Sequence, residues 1–297
     1  MASAVQSFFH APTGTWSHVA HAGGDAVVVD PVLDFDAASG HVGTDSARVL
    51  LEYLSRHGLR LHHVLETHAH ADHLSAAAFL RTRTGAPVAI GSGIRSVQAH
   101  FAPLFGWDPG DAALHDAFDT LLGDGDVLQA GALRIEVMAL PGHTADGLGY
   151  RIGDNVFVGD TLFAPDIGTA RCDFPGGDCQ ALYRSIRRLH GLPGDTLLWL
   201  CHDYPPAGRE RRASVSVAES ARDNRMLAAD TPEETFVAAR RARDAGLPAP
   251  QLLYPALQVN IRGGRLPPAE AGGRRYLRTP LRVDGSAAEL TAKEEPV

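Results

Sequence analysis

Thr67-His68-Ala69-His70-Ala71-Asp72-His73 places three imidazoles and one carboxylate within seven residues. The strand-like run Leu61–Leu65 precedes it and the helix-like run Leu74–Leu80 follows. A strand that empties into a helix can aim alternate side chains at one point, so His68 and His70 share a face while Asp72 and His73 leave the turn beside them. Desolvating four such groups together is costly without a cation. Imidazole and carboxylate are the usual protein ligands of zinc and iron. A lone histidine on such a loop would be read as a surface residue. This spacing at a strand-to-helix junction reads as a metal site.

The other ligand-type residues stand downstream, again where strands end. Leu133–Leu140 runs into Gly142-His143-Thr144, Val156–Val158 into Gly159-Asp160, and Thr196–Cys201 into His202-Asp203. Taken singly, each is more often a hydrogen-bonded loop or cap residue. Together they converge on one edge of a layered fold.

Composition narrows the function. The 297 residues carry 27 Lys+Arg against 35 Asp+Glu, a formal charge of −8, so no basic field exists for nucleic acid or an anionic membrane. No run of about eighteen apolar residues suggests a membrane span. Met1–Gln6 lacks a basic stretch followed by an apolar one, so no secretion leader is expected there. Three cysteines (Cys172, Cys179, Cys201) with no Cys-x-x-Cys pair argue for a reducing compartment, and a cytoplasmic location is expected.

Along the chain, strands are predicted at Gln6–His10, Trp16–His21, Asp25–Asp30, Leu61–Glu66, Pro87–Ile90, Val127–Gln129, Leu133–Leu140, Leu148–Ile152, Asn155–Val158 and Thr196–Cys201. Helices are predicted at Ala47–Arg56, Asp72–Thr84, Ala181–His190, Ser214–Leu227 and Glu233–Ala245. Gly91–Thr120 reads as an irregular excursion with a small core of its own. Strands followed by helices, twice over, predict an α/β fold in which two sheets pack face to face with helices outside, a four-layer αββα sandwich. Residues 1–213 form the catalytic domain in this reading. Residues 214–297 form a helical, Pro-rich extension that covers the active face and ends in a polar tail.

The ordered set His68-x-His70-x-Asp72-His73, Gly142-His143-Thr144, Gly159-Asp160 and Cys201-His202-Asp203 resembles the metallo-β-lactamase fold over roughly residues 5–205. Glu66–His73, Arg171-Cys172-Asp173-Phe174-Pro175-Gly176-Gly177, Cys201-His202-Asp203-Tyr204 and Val259-Asn260-Ile261-Arg262-Gly263-Gly264 are similar to the persulfide dioxygenases, or sulfur dioxygenases, of that superfamily. The chain departs from the mitochondrial members at Ala164–Ala170, where they have a short Arg-Gly-Cys-Gly-type segment, and near Gly263, where they carry a cysteine. No cysteine-dependent step is therefore carried over.

That resemblance implies one Fe(II) on His68, His143 and Asp160, with His70, Asp72, His73 and His202 around it. Two histidines and a carboxylate on one face leave open positions for substrate and O2. The implied reaction passes both atoms of O2 to the terminal sulfur of glutathione persulfide, and the sulfinate then hydrolyses to sulfite and glutathione. Arg171 is expected to meet a substrate carboxylate, or else to pair with Asp173 or Asp166. Tyr204 is expected to hydrogen-bond the substrate or to pack. Cys172 is expected to be a small buried thiol. Partners are then a small persulfide and O2, with no nucleic acid and no membrane, and a homodimer is the assembly allowed for.

Ligand count alone favours a different chemistry. A dinuclear zinc thioester hydrolase of the glyoxalase II type would place His68, His70 and His143 on one metal and Asp72, His73 and His202 on a second. Asp160 would bridge them. The same residues serve both readings.

Overall fold

The computed structural model describes residues 3–282, and the polar tail 283–297 lies outside them. The chain begins with β1 (Ala4–His10), β2 (Thr15–Ala22), β3 (Asp25–Val29), β4 (Val32–Asp36), β5 (His41–Gly43), α1 (Asp45–Arg56), β6 (Arg60–Leu65) and β7 (Leu74–Ser75). It continues through α2 (Ala77–Thr84), β8 (Val88–Gly91), α3 (Ile94–Phe101), α4 (Ala112–His115), β9 (Thr120–Leu122), β10 (Val127–Ala130), β11 (Leu133–Ala139), β12 (Leu148–Ile152) and β13 (Asn155–Phe157). It closes with α5 (Cys179–His190), β14 (Leu197–Trp199), β15 (Ser214–Ser216), α6 (Val217–Asp223), α7 (Glu233–Asp244) and α8 (Leu253–Asn260).

Two six-stranded sheets result, ordered β1-β2-β3-β6-β8-β9 and β10-β11-β12-β13-β14-β15, beside a small sheet β5-β4-β7. Alternation along each strand divides the side chains between layers. On β3, Val27 and Val29 face a core shared with Ile135, Val137 and Phe157 of the second sheet, while Ala26 and Val28 face α1 and α2. The outer face of the second sheet packs Val156 and Leu198 against Leu182, Ile186 and Leu189 of α5 and Phe236 of α7. The spacing of those three α5 residues makes one apolar stripe, and Asp178 caps the helix by accepting from Gln180 and Ala181 N–H. This is the predicted αββα sandwich.

Four local expectations change. The helix read over Asp72–Thr84 starts only at Ala77, because Leu74 and Ser75 pair with Leu33 and Val32. Gly91–Thr120 is not an excursion with its own core. Its α3 and α4 send Ile94, Phe101 and Leu114 into the cluster that also holds Leu257 and Ile261. Ser214–Ser216, read as helix, is the edge strand of the second sheet. Finally, the Pro-rich stretch beyond the helix read over Glu233–Ala245 contains α8, whose Ala256–Asn260 are all buried. Residues covered on every side present no polar face and so no 3.6-residue signal.

His18 on β2 ties the two sheets together. Its Nε2 donates to Leu200 O (2.9 Å), which leaves Nδ1 to accept from Ser7 Oγ (2.8 Å). Burial pushes its pKa down to about 4, only partly opposed by the bond to Leu200. The unfolded chain therefore binds the extra proton between pH 6.5 and 4. Stability from this residue is complete above pH 6.5 and is lost as pH falls toward 4, by roughly 3 kcal/mol. Urea unfolding followed across that range should show a shallower decline for His18→Gln than for wild type. Parallel curves would mean that another group titrates.

Candidate metal centre

The ligand loop leaves β6 and is held from three sides before any ligand is considered. Asp30, just past β3, has a left-handed backbone (φ 49°) and is 2% exposed. Its carboxylate accepts from Thr67 N (2.7 Å), Thr67 Oγ1 (2.9 Å) and His70 Nε2 (3.0 Å). From the turn between β11 and β12, Asp146 accepts Ala69 N–H (2.8 Å). From α8, Asn260 donates to His70 O (2.7 Å) and His73 O (2.8 Å) and accepts from Ser75 N (2.8 Å). Glu66 lies beneath, bonded to Ser75 Oγ, and burial raises its carboxyl above the usual range.

Asp160 arrives on a turn only glycine permits. Gly159 has φ +53°, and a Cβ there would stand 2.6 Å from Thr67 Oγ1. His143 follows Gly142, whose absent Cβ would meet Leu182 N at 2.3 Å where α5 abuts the turn. His143 Nδ1 donates to Arg171 O (2.7 Å), which fixes the tautomer and leaves Nε2 bare, 3.7 Å from Asp160 Oδ2. His68 Nε2 lies 3.8 Å from the same oxygen.

The seven ligand-type residues fall into two groups. His68, His143 and Asp160 each offer an atom within 4.8 Å of the others, and so do His70, Asp72, His73 and His202. Asp160 Oδ1 reaches toward the second group, 3.4 Å from His202 Nε2. Five buried atoms converge without an aligned hydrogen-bond partner: His68 Nε2, His70 Nδ1, His73 Nε2, His202 Nε2 and Asp160 Oδ1. Buried polar atoms are normally paired. This orphaned set therefore fits a cation.

Electrostatics agree with neutral imidazole donors at two positions. Burial first, and then the neighbouring imidazoles, hold His68 well below the ordinary histidine value. Burial and His70 bring His73 down to about 4. At His70 burial is the largest effect and acts downward, but Asp30 and Cys201 together outweigh it and the net shift is upward. At His202 the same burial effect is outweighed by Asp160 and Asp72.

A cavity of about 500 Å³ opens over Asp72, His143 and Asp160. Phe163, Phe174 and Leu252 line it together with Arg171, Arg243 and Tyr204. Arg171 is engaged: Nε and Nη2 clamp Asp173 at 2.6 Å each, and Nη1 donates to Pro248 O at 2.7 Å. Tyr204 stacks on His202 with ring centroids 5.6 Å apart.

The metallo-β-lactamase superfamily model matches residues 11–202. The chain belongs to that superfamily. It is 46% identical over 291 residues to a probable metallo-hydrolase of Burkholderia pseudomallei, covering 93% of this chain and 98% of the relative. A β-lactamase hydrolase-like protein of Xylella fastidiosa is 48% identical over 261 residues, 88% of this chain, and the chain spans 60% of that relative's length. ETHE1 proteins are also similar. The human mitochondrial persulfide dioxygenase ETHE1 is 29% identical over 243 residues, 81% of this chain and 80% of the relative. The crystal structure of ETHE1 from Myxococcus xanthus superposes with TM-score 0.69 at 30% identity, covering 88% of this chain and all of that one. Among the described residues no helix is long and apolar enough to cross a membrane.

Sequence alone does not single out Asp30 or Asp146, and it presents Glu66 and Asn260 only within the motifs that carry the resemblance, with no role at the site. One signal existed for Asp30: a carboxylate at the end of a strand, just before Pro31, in a fold whose site lies at strand ends. Asn260→Ala strands two carbonyls and one N–H inside the loop, which should cost about 2–4 kcal/mol of stability. Metal affinity should weaken about 10–100-fold, read by chelator competition alongside urea unfolding. Unchanged metal retention in the folded variant would show that the loop keeps its shape without the clamp.

Proposed function

We propose that this chain is a persulfide dioxygenase, oxidising the terminal sulfur of a small persulfide such as glutathione persulfide with O2. A single Fe(II) on His68, His143 and Asp160 serves the reaction. The observation that carries this reading is the partition of ligands. His70 Nε2 is given to Asp30, and although the His70 ring lies 4.1 Å from that of His68, its donor atom groups with those of Asp72, His73 and His202. A dinuclear hydrolase needs that donor atom grouped with those of His68 and His143. The likeness to ETHE1 proteins over four-fifths of the chain supports the same conclusion.

Bound to two imidazoles and a carboxylate, iron supplies open positions for a sulfur ligand and O2 together. The chain's own groups do the rest. The Arg171 carbonyl and Thr67 Oγ1 orient the His143 and His68 rings. Phe163, Phe174 and Leu252 give the cavity apolar walls, which keep water away from a reactive sulfur. Tyr204, backed by the buried His202 on which it stacks, lines the cavity beside Asp160.

The guanidinium of Arg171 is already committed to Asp173, so in this reading the substrate carboxylate goes to Arg243. That side chain lines the same cavity and has no carboxylate partner within 4 Å among the described residues. The second reading, a dinuclear zinc thioester hydrolase, draws on the intact seven-residue ligand set and the likeness to a probable metallo-hydrolase.

Metal analysis of protein purified without added metal, paired with an oxygen electrode, separates the two. Close to one iron per chain and O2 uptake with glutathione persulfide are expected. About two zinc per chain, thioester hydrolysis and no O2 uptake would establish the hydrolase. A second experiment separates the arginines. Arg243→Ala should raise KM with kcat nearly unchanged, a loss of about 1.5 kcal/mol in kcat/KM. Arg171→Ala should lower kcat and loosen the fold, because it frees the segment that holds His143. The reverse pattern would return the anchoring role to Arg171.

A further inference from the structure

Arg171–Asp178 forms a strap across one side of the metal centre. At its start, the Arg171 carbonyl holds His143 Nδ1. At its middle, the Phe174 ring stands edge-on to His143, centroids 5.3 Å apart. Its two ends carry thiols, Cys172 just after Arg171 and Cys179 at the first residue of α5. Both are free cysteines, and their sulfurs lie within 4.8 Å of each other and of an Asp244 oxygen. Neither thiol is needed by the chemistry proposed above.

A third ligand would make this a metal site, but Asp244 is spent elsewhere. Its Oδ1 takes Arg240 Nε (2.9 Å) and its Oδ2 takes Cys172 N–H (2.9 Å). What remains is a pair of thiols with no shared cation. A cavity of about 410 Å³, separate from the one over the ligands, reaches both of them and is lined also by Asp173, Arg241 and Ala245. With the sulfurs within 4.8 Å of each other, a bond of about 2.05 Å requires them to close by less than about 3 Å.

We propose that Cys172 and Cys179 are a reversible disulfide site, formed by exchange with a low-molecular-weight disulfide, that cross-links the strap holding His143. In the first step a Cys179 thiolate attacks one sulfur of RS–SR. An S–S bond forms to Cys179 and RS⁻ leaves. In the second step the Cys172 thiolate attacks Cys179 Sγ and expels the second RS⁻. The two thiols lose two electrons, the small disulfide gains them, and the two thiol protons end on two RSH. Cys179 is taken as the first attacker because it stands at the first residue of α5, where the helix N-terminus favours a thiolate. Burial pushes the Cys172 thiol up, which slows the second step.

The folded holoprotein is incubated with bis(2-hydroxyethyl) disulfide, quenched in acid, alkylated under denaturing conditions and digested with trypsin. Cleavage after Arg171 and Arg184 puts both cysteines in one peptide. That peptide should carry no alkyl group and be two hydrogens lighter than its reduced form, and dithiothreitol should reverse this. Cys201, 1% exposed just past β14, should remain alkylated. In Cys172→Ser the exchange should stop at a mercaptoethanol adduct on Cys179. Full alkylation of both cysteines after oxidation, or a stable adduct in wild type, would overturn the site.

The coupling to turnover rests on the dioxygenase reading and is scored separately. Oxidised wild type should lose about tenfold in activity and Cys179→Ser should not respond. A disulfide that forms without changing turnover would overturn the coupling to His143.

Discussion

The metal centre depends on one buried carboxylate. Asp30 sits where the parallel strands β3 and β6 run out side by side, and it accepts three hydrogen bonds from the loop that β6 releases. Burial alone would favour its neutral form, yet the His70 imidazole and the two Thr67 donors hold its pKa below the ordinary value. A carboxylate so fully engaged is charged and fixed. It occupies His70 Nε2 and so leaves only Nδ1 for a cation. The backbone strain of its left-handed conformation is stored at the point where the ligand loop begins.

Much of this centre is written locally and can be read locally. The His68-x-His70-x-Asp72-His73 stretch lies between a strand and a helix, and His143, Asp160 and His202 each follow an apolar run. Strand alternation and the stripe on α5 make both sheets and that helix legible for the same reason. What could not be read are interactions whose partners are far apart in sequence. Asn260 clamps carbonyls 187 and 190 residues away, and nothing near it in the chain announces a polar partner. The last five residues of the α8 helix that carries it are all buried, so the periodicity by which amphipathic helices are recognised is missing.

Arg171 shows how residue type can be right and role undetermined. An arginine beside a metal-bearing strand suggests anion recognition, but Asp173, two residues on, satisfies its planar fork with two charged bonds. What Arg171 contributes to the ligands is its backbone carbonyl, a group every residue possesses and no sequence pattern marks. Arg243, on α7, lines the same cavity and makes no salt bridge among the described residues.

The asparagine clamp has a consequence for how the molecule is made. All seven ligand-type residues have been synthesised once the chain reaches residue 202, but the carbonyls of His70 and His73 wait for residue 260. Domains assemble as the chain emerges from the ribosome, and contacts between distant residues form late. A growing chain between those two lengths holds every donor atom without the grip that shapes the loop. Order of synthesis thus separates possession of the ligands from competence to use them.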